Sequence, residues 1–152
     1  MGMAFRIAEP SDTETLVQFM RDYCAFDHVP FDATVRRRTV EKFLREHWWG
    51  RLWLICVDDE PIGYLALTLG FSFEYGGYDA FVDEVYINEQ HRGQGIGKLA
   101  LQVAEDACRA LGVQALHLEV ERVNTNAHAL YRKVGFVEHD RHLMTKQISS
   151  SR

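Results

Sequence analysis

Apolar positions along the chain switch between a repeat of two and a repeat near 3.6, and each switch marks a boundary between strand and helix. Phe5 to Ala8 reads as a first strand. Ser11-Asp12-Thr13-Glu14 has the capping-box arrangement that opens a helix, and Leu16, Phe19, Met20 and Tyr23 then recur at helical spacing. A second helix is predicted over Asp32 to His47. Trp53 to Val57 and Ile62 to Leu69 are apolar strands separated by Asp58-Asp59-Glu60-Pro61, a strong turn sequence, so they should pair as a hairpin. Glu74 to Tyr78 turns the chain into a strand over Phe81 to Ile87. Leu99, Ala100, Val103, Ala104, Ala107 and Leu111 outline a helix over 93–111, which Gly112 ends by taking a left-handed conformation. A strand over Ala115 to Val120, a helix opened by Asn124, and a hairpin over Phe136 to Ile148, broken near Asp140, complete the chain.

Strands in sequence, followed by helix, strand, helix and strand, predict an α/β (α+β) fold. The expected form is a mixed, mostly antiparallel central sheet of about seven strands with helices on both faces. Its 152 residues suit one domain over 1–152 and are too few for two ordinary ones, with 149–152 as a frayed tail.

The run Gln90-His91-Arg92-Gly93-Gln94-Gly95-Ile96-Gly97-Lys98 joins an apolar strand to a long helix through glycines. The first N–H groups of a helix lack internal partners and point outward beside the positive end of its dipole, so glycine there lets an anion approach. A Walker A loop needs Ser or Thr after Gly-Lys, and none follows Gly97-Lys98; a dinucleotide fingerprint belongs in an early strand-helix unit, and this run lies past mid-chain. The run resembles instead the pyrophosphate loop of the Gcn5-related N-acetyltransferase (GNAT) superfamily, whose Gln/Arg-x-x-Gly-x-Gly/Ala pattern is met by Gln90, Gly93 and Gly95. The family's second signature, an Asn opening a helix that runs through Ala and Leu-Tyr to Gly-Phe, is met by Asn124, Ala127, Leu130-Tyr131 and Gly135-Phe136.

That resemblance implies a splayed parallel strand pair with acetyl-CoA in the gap and a right-handed crossover through the 93–111 helix. It implies cofactor contacts from Val85, Tyr86 and Ile87 on the strand, from Arg92, Gly93, Gln94, Gly95, Ile96, Gly97 and Lys98 in the cradle, and from Asn124, Ala127 and Tyr131. Within the superfamily the chain looks most like the diamine (spermidine/spermine-type) acetyltransferases, which carry paired acids at the positions of Asp83 and Glu84. A homodimer is the family expectation.

Acetylating an alkylamine with a pKa near 10 means removing a proton that all but about one molecule in a thousand carries at pH 7, a cost of roughly 4 kcal/mol. Asp83 and Glu84 are the candidates, one accepting protons while the other binds charge or supports the loop. Adjacent strand residues point to opposite faces, so the pair is not expected to line one face. The departing thiolate calls for an acid; periodicity alone, which puts Tyr131 with Ala127, Leu130 and Val134, favours a core tyrosine, and the resemblance assigns it the role of acid instead. Glu74 and Tyr75 join Asp83 and Glu84 as substrate-binding candidates, Asp79 adds to the negative groove, and Phe71, Phe73, Tyr75 and Tyr78 are expected to wall a small pocket.

Composition narrows the partners. A net charge of −5 argues against a nucleic-acid surface and for a small cationic amine, and Arg36-Arg37-Arg38 reads as a solvated helix face. Cys24, Cys56 and Cys108 form neither a disulfide nor a zinc pattern, and His139 and His142 lack a third ligand, so no metal is expected. With no membrane-length apolar stretch and no secretory leader, the expected location is the cytoplasm, away from membranes. The competing readings are a protein or aminoglycoside N-acetyltransferase and a non-catalytic acyl-CoA-sensing module.

Overall fold

Five strands carry the molecule: β1 (Met3–Ile7), β2 (Gly50–Val57), β3 (Glu60–Ser72), β4 (Gly77–Ile87) and β5 (Ala115–His117). They form one sheet in the order β1-β2-β3-β4-β5, antiparallel as far as β4, with β5 parallel to β4. The computed structural model describes residues 2–149.

Helices α1 (Thr13–Phe26) and α2 (Ala33–Arg45) cover one face, setting Leu16, Met20 and Val40 against Leu52, Leu54, Tyr64 and Tyr86. Helix α3 (Ile96–Leu111) covers the other, packing Ala100, Leu101, Ala104 and Cys108 on Trp53, Leu65, Leu67, Ala80 and Val82, with Tyr131 of α4 (Thr125–Lys133) at the margin. Leu54, Leu65 and Leu67 are fully buried, so truncating one of them to Ala costs about 2–5 kcal/mol. The three cysteines are free and buried. Among the described residues no helix is long and apolar enough to cross a membrane.

The hairpin between β2 and β3 turns on Asp58 and Asp59, both at positive φ (49° and 65°), the geometry a two-residue turn between twisted strands requires. Helix α3 ends as expected at Gly112, φ 74°, whose N–H donates to the carbonyl of Arg109.

Three expectations are corrected. The sheet has five strands among the described residues, because β5 stops at His117 and residues 136–149 form neither helix nor strand; Val137, Leu143, Met144 and Ile148 there remain exposed, so no buried face fixes a strand register. The tail beyond Ser149 lies outside the described residues. The capping box forms between Glu9 and Asp12 around a short 3-10 turn at Pro10, and Glu14 instead pairs with Arg37. Helix α3 begins at Ile96, three residues later than expected, because Gly93 and Gly95 sit at φ 76° and 80°, outside helical space.

Candidate active site

Ala66 pairs with Glu84 and the next β3 residue, Leu67, pairs with Val82, so Asp83 is an extra residue bulged out of β4. A bulge resets the side-chain alternation. Before it, Ala80 and Val82 face α3; after it, Tyr86 faces α1 and α2, and Glu84 meets Arg36 of α2. The charges of both Asp83 and Glu84 act on Tyr23, and Arg36 acts on both carboxylates. The expectation that the two acids serve opposite faces is thereby overturned, because alternation holds only for an unbulged strand.

Glu84 is fully engaged. Nη1 of Arg36 donates to both of its oxygens at 2.9 Å, and the Tyr64 hydroxyl donates to Oε1 at 2.8 Å. The other Arg36 nitrogen, Nη2, donates to Cys24 Sγ at 3.3 Å. Burial, reinforced by the Glu84 charge, pushes the pKa values of Tyr23 and Tyr64 well above the usual phenol range. Asp83 is different: the surrounding protein raises its carboxyl pKa above the ordinary value, with Arg36 pulling the other way. A recess of about 210 Å³ opens beside Arg36, lined by Pro30, Phe31, Asp32 and Val35.

Beyond Phe81, β4 loses its partner on the β5 side. The parallel pairing covers only Asp79 to Phe81, so from Val82 to Ile87, Val85 and Tyr86 included, that edge is open among the described residues. The open edge leads straight into the glycine cradle. The side chain of Ile96, 1% exposed, anchors the cradle against Ile55, Val57 and Ile62. The first α3 bond runs from the N–H of Leu99 to the carbonyl of Gly95, which leaves the N–H groups of Ile96, Gly97 and Lys98 outside the helix's own bonding. A methyl placed on Gly93, Gly95 or Gly97 would meet nothing within 4 Å, so the space in front of these groups is free for a phosphate. Gln94 donates to the carbonyl of Gln90 at 3.3 Å. Arg92 turns to α1: its Nε donates to the carbonyl of Ile87 at 2.8 Å and its guanidinium lies over Phe26 and Tyr86.

Asn124 caps α4, its Oδ1 accepting from the N–H of Ala127 at 3.1 Å. Tyr131, seven residues on, is partly buried with its ring edge-on to Phe136, and burial raises the pKa of its phenol, which stays protonated at neutral pH.

At the start of β4, Asp79 lies 3.1 Å from His117, and Glu74 pairs at 3.4 Å with Arg141. The ring of Tyr75 packs at a tilt against His117. Phe71, Phe73 and Tyr78 cluster with one another and are 66%, 93% and 55% exposed, so they do not enclose the expected pocket. Arg36 departs from a solvated face. It lies one and two turns before Val40 and Phe43, on the apolar stripe of α2, and that spacing was the available signal for it, just as the polar hydroxyl in the apolar run of β3 was for Tyr64. Among the described residues no group of three or more His, Cys, Asp or Glu side chains could hold a metal ion.

A splayed parallel pair, a bulged acid and a glycine cradle are thus contiguous, and over residues 16–136 the sequence matches the Acetyltransferase (GNAT) family. The chain belongs to this family. The GNAT domain is 29% identical over 146 residues to the mycothiol acetyltransferase of Jonesia denitrificans, covering 93% of this chain and 45% of that protein. It spans about half the length of the curated relatives it matches first. Among solved structures, an integron cassette protein from the mobile metagenome of Cole Harbour Salt Marsh superposes with a TM-score of 0.84 at 34% identity, over 95% of this chain and 90% of that one. A predicted acetyltransferase from Clostridium acetobutylicum, solved with acetyl-CoA, shares the fold at a TM-score of 0.80 and 16% identity, over 95% of this chain and 96% of that one.

Proposed function

We propose that this GNAT domain transfers an acetyl group from acetyl-CoA to a primary amine on a small cationic molecule, a polyamine or a basic amino acid, by direct attack in a ternary complex. The observation that carries the reading is the bulge at Asp83, which sets an acid of raised pKa on the acceptor face where β4 begins its open edge toward the glycine cradle.

Each difficulty of the reaction meets a group of this chain. The pyrophosphate of acetyl-CoA is received by the N–H groups at the start of α3, with Gly93, Gly95 and Gly97 clearing the approach and Gln94 and Lys98 at its margin. The pantetheine arm lies along the open edge of β4 as an added strand, bonding the backbone of Val85 to Ile87 and meeting Asn124 and Ala127 at the start of α4. A backbone N–H near Val85 receives the oxyanion. Asp83 contacts the ammonium and takes its proton, while Glu84, held by Arg36 and Tyr64, keeps the bulge in place and adds negative charge. Tyr131 donates its phenolic proton to the leaving thiolate.

Charge selects the acceptor. Asp79, Asp83, Glu84 and Glu74 gather on the acceptor side, with Tyr75 beside them, against Arg36, Arg141 and the titratable His117. Such a surface favours a cation. The same reading carries a homodimer, supported by the exposed apolar side chains of Phe71, Phe73, Leu143 and Met144; light scattering across micromolar concentrations should give twice the mass of the chain. The transfer is tested by incubating the protein with acetyl-CoA and spermidine, spermine, putrescine, lysine, thialysine, an aminoglycoside and a lysine peptide, and reading products by mass spectrometry. Acetylation confined to the small cations supports the reading. Acetylation of the peptide or the aminoglycoside alone replaces the acceptor, and tight acetyl-CoA binding with no product favours an acyl-CoA sensor.

A further inference from the structure

His117 stands where β4 and β5 part, as the last residue of the parallel pairing, opposite Phe81. Its Nε2 lies 3.1 Å from Asp79 Oδ2, and its ring packs between Tyr75 and Phe81, with centroid distances of 5.5 and 4.9 Å. The His117 and Asp79 side chains are only 23% and 16% exposed. An imidazole gripped in this way has one nitrogen committed to the carboxylate and Nδ1 left to accept a proton. Leu116 packs toward α3, so His117 points to the opposite face, the face that carries Glu84 and Asp83. Asp83 follows Phe81 by two residues on the same strand, and the bulge turns it to the same face.

We propose that His117, oriented by Asp79, is the proton-relay residue of the reaction and receives the proton that Asp83 takes from the acceptor ammonium. This rests on the amine-acetylation reading and adds to it a second stage. An imidazole is the side chain ordinarily suited to taking up and passing on a proton at neutral pH, which fits it to receive one that leaves an amine. One ammonium N–H bond breaks toward Asp83, and a water passes the equivalent proton to His117 Nδ1 and on to solvent. The freed lone pair forms the C–N bond as the C–S bond breaks. The second amine proton is lost as the tetrahedral intermediate collapses and replaces the one Tyr131 gives to sulfur. The titratable groups that surround His117 are Asp79 on β4, Tyr75 on the preceding turn and Asp83 beyond Phe81; Glu74, next to Tyr75, is paired with Arg141.

The test is the pH profile of kcat/KM for the acetylated amine in wild type, His117→Gln, Asp79→Asn and Asp83→Asn, with acetyl-CoA affinity measured alongside by calorimetry. His117→Gln should lower kcat/KM by about 100-fold or more and erase the limb that rises through the imidazole range, leaving acetyl-CoA affinity unchanged. Asp79→Asn should keep that limb but move it to lower pH, since an imidazolium without its carboxylate gives up its proton more readily. A purely structural role for the pair would lower activity without moving the limb. If His117→Gln does not fold, the Asp79→Asn shift decides alone. A wild-type profile retained in His117→Gln, an unshifted limb in Asp79→Asn, or a limb that disappears only in Asp83→Asn overturns the proposal. A wild-type protein that acetylates no amine overturns the amine reading itself and the relay with it, a failure distinct from an active enzyme indifferent to residue 117.

Discussion

One guanidinium nitrogen of Arg36 on α2 donates to both carboxylate oxygens of Glu84 on β4, each at 2.9 Å, with the two side chains 21% and 15% exposed. This contact ties the α1 and α2 layer to the strand that carries the bulge. Arg36→Ala should lower the unfolding free energy on the order of 3 kcal/mol, because Glu84 is then left as a largely buried charge with only Tyr64 to bond it. Glu84→Gln, which removes the charge but keeps an acceptor for Tyr64 and Arg36, should cost less. Urea unfolding of the two variants decides, and equal small losses in both would contradict the role given to the pair.

The proposed function makes Tyr131 the acid that serves the leaving thiolate. Tyr131→Phe keeps the ring that packs on Phe136 and removes only the hydroxyl. The expected result is a fall in kcat of about 10²-fold or more with acetyl-CoA affinity and melting temperature nearly unchanged. A variant of full activity would return Tyr131 to a packing role.

Gly97 and Gly95 separate folding from binding in the cradle. Gly97 lies in the first turn of α3 with open space before it, so Gly97→Ala should raise helix stability by up to about 1 kcal/mol while setting a methyl in the phosphate approach. Gly95, at φ 80°, should lose about 1–2 kcal/mol when replaced by Ala, because an L-residue there is strained. Both should weaken CoA binding. Melting temperature against calorimetric CoA affinity checks the opposite signs in stability and the shared sign in binding.

The raised pKa of Asp83 makes a pH-dependent stability prediction. The folded protein holds this proton more tightly than the unfolded chain, because the protein mass around this exposed side chain disfavours its charge more than Arg36 favours it. Its contribution is therefore fully present below the unfolded pKa, near 4, and is lost as pH rises through the higher folded value. Asp83→Asn should stabilise the protein at pH 7 relative to wild type, show little gain at pH 3, and lose amine acetylation. Chemical unfolding at the two pH values tests this; equal stabilisation at both would contradict it.

Much of this arrangement was legible in the chain because local chemistry set it. Asp58-Asp59 specified the hairpin, Gly112 the end of α3 and Asn124 the start of α4, each through backbone geometry that few other residues satisfy. The cradle was legible for the same reason. The bulge was not, since one extra residue in β4 leaves the apolar pattern on either side intact and shows only when β3 fixes the register at Ala66 and Leu67. The Arg36–Glu84 pair spans 48 positions, and no local pattern announces a contact of that range. Residues 136–149 carry strand-like composition, but a short run of apolar side chains does not make a strand without a face to bury.

The most direct test is release of CoA thiol from acetyl-CoA by the wild-type protein with a polyamine, compared with a neutral or acidic primary amine of similar size. Saturable release with the cation, slow release with the others and loss of release in Asp83→Asn are the predicted results. No thiol release with any amine, from a protein that binds acetyl-CoA tightly, would contradict the account.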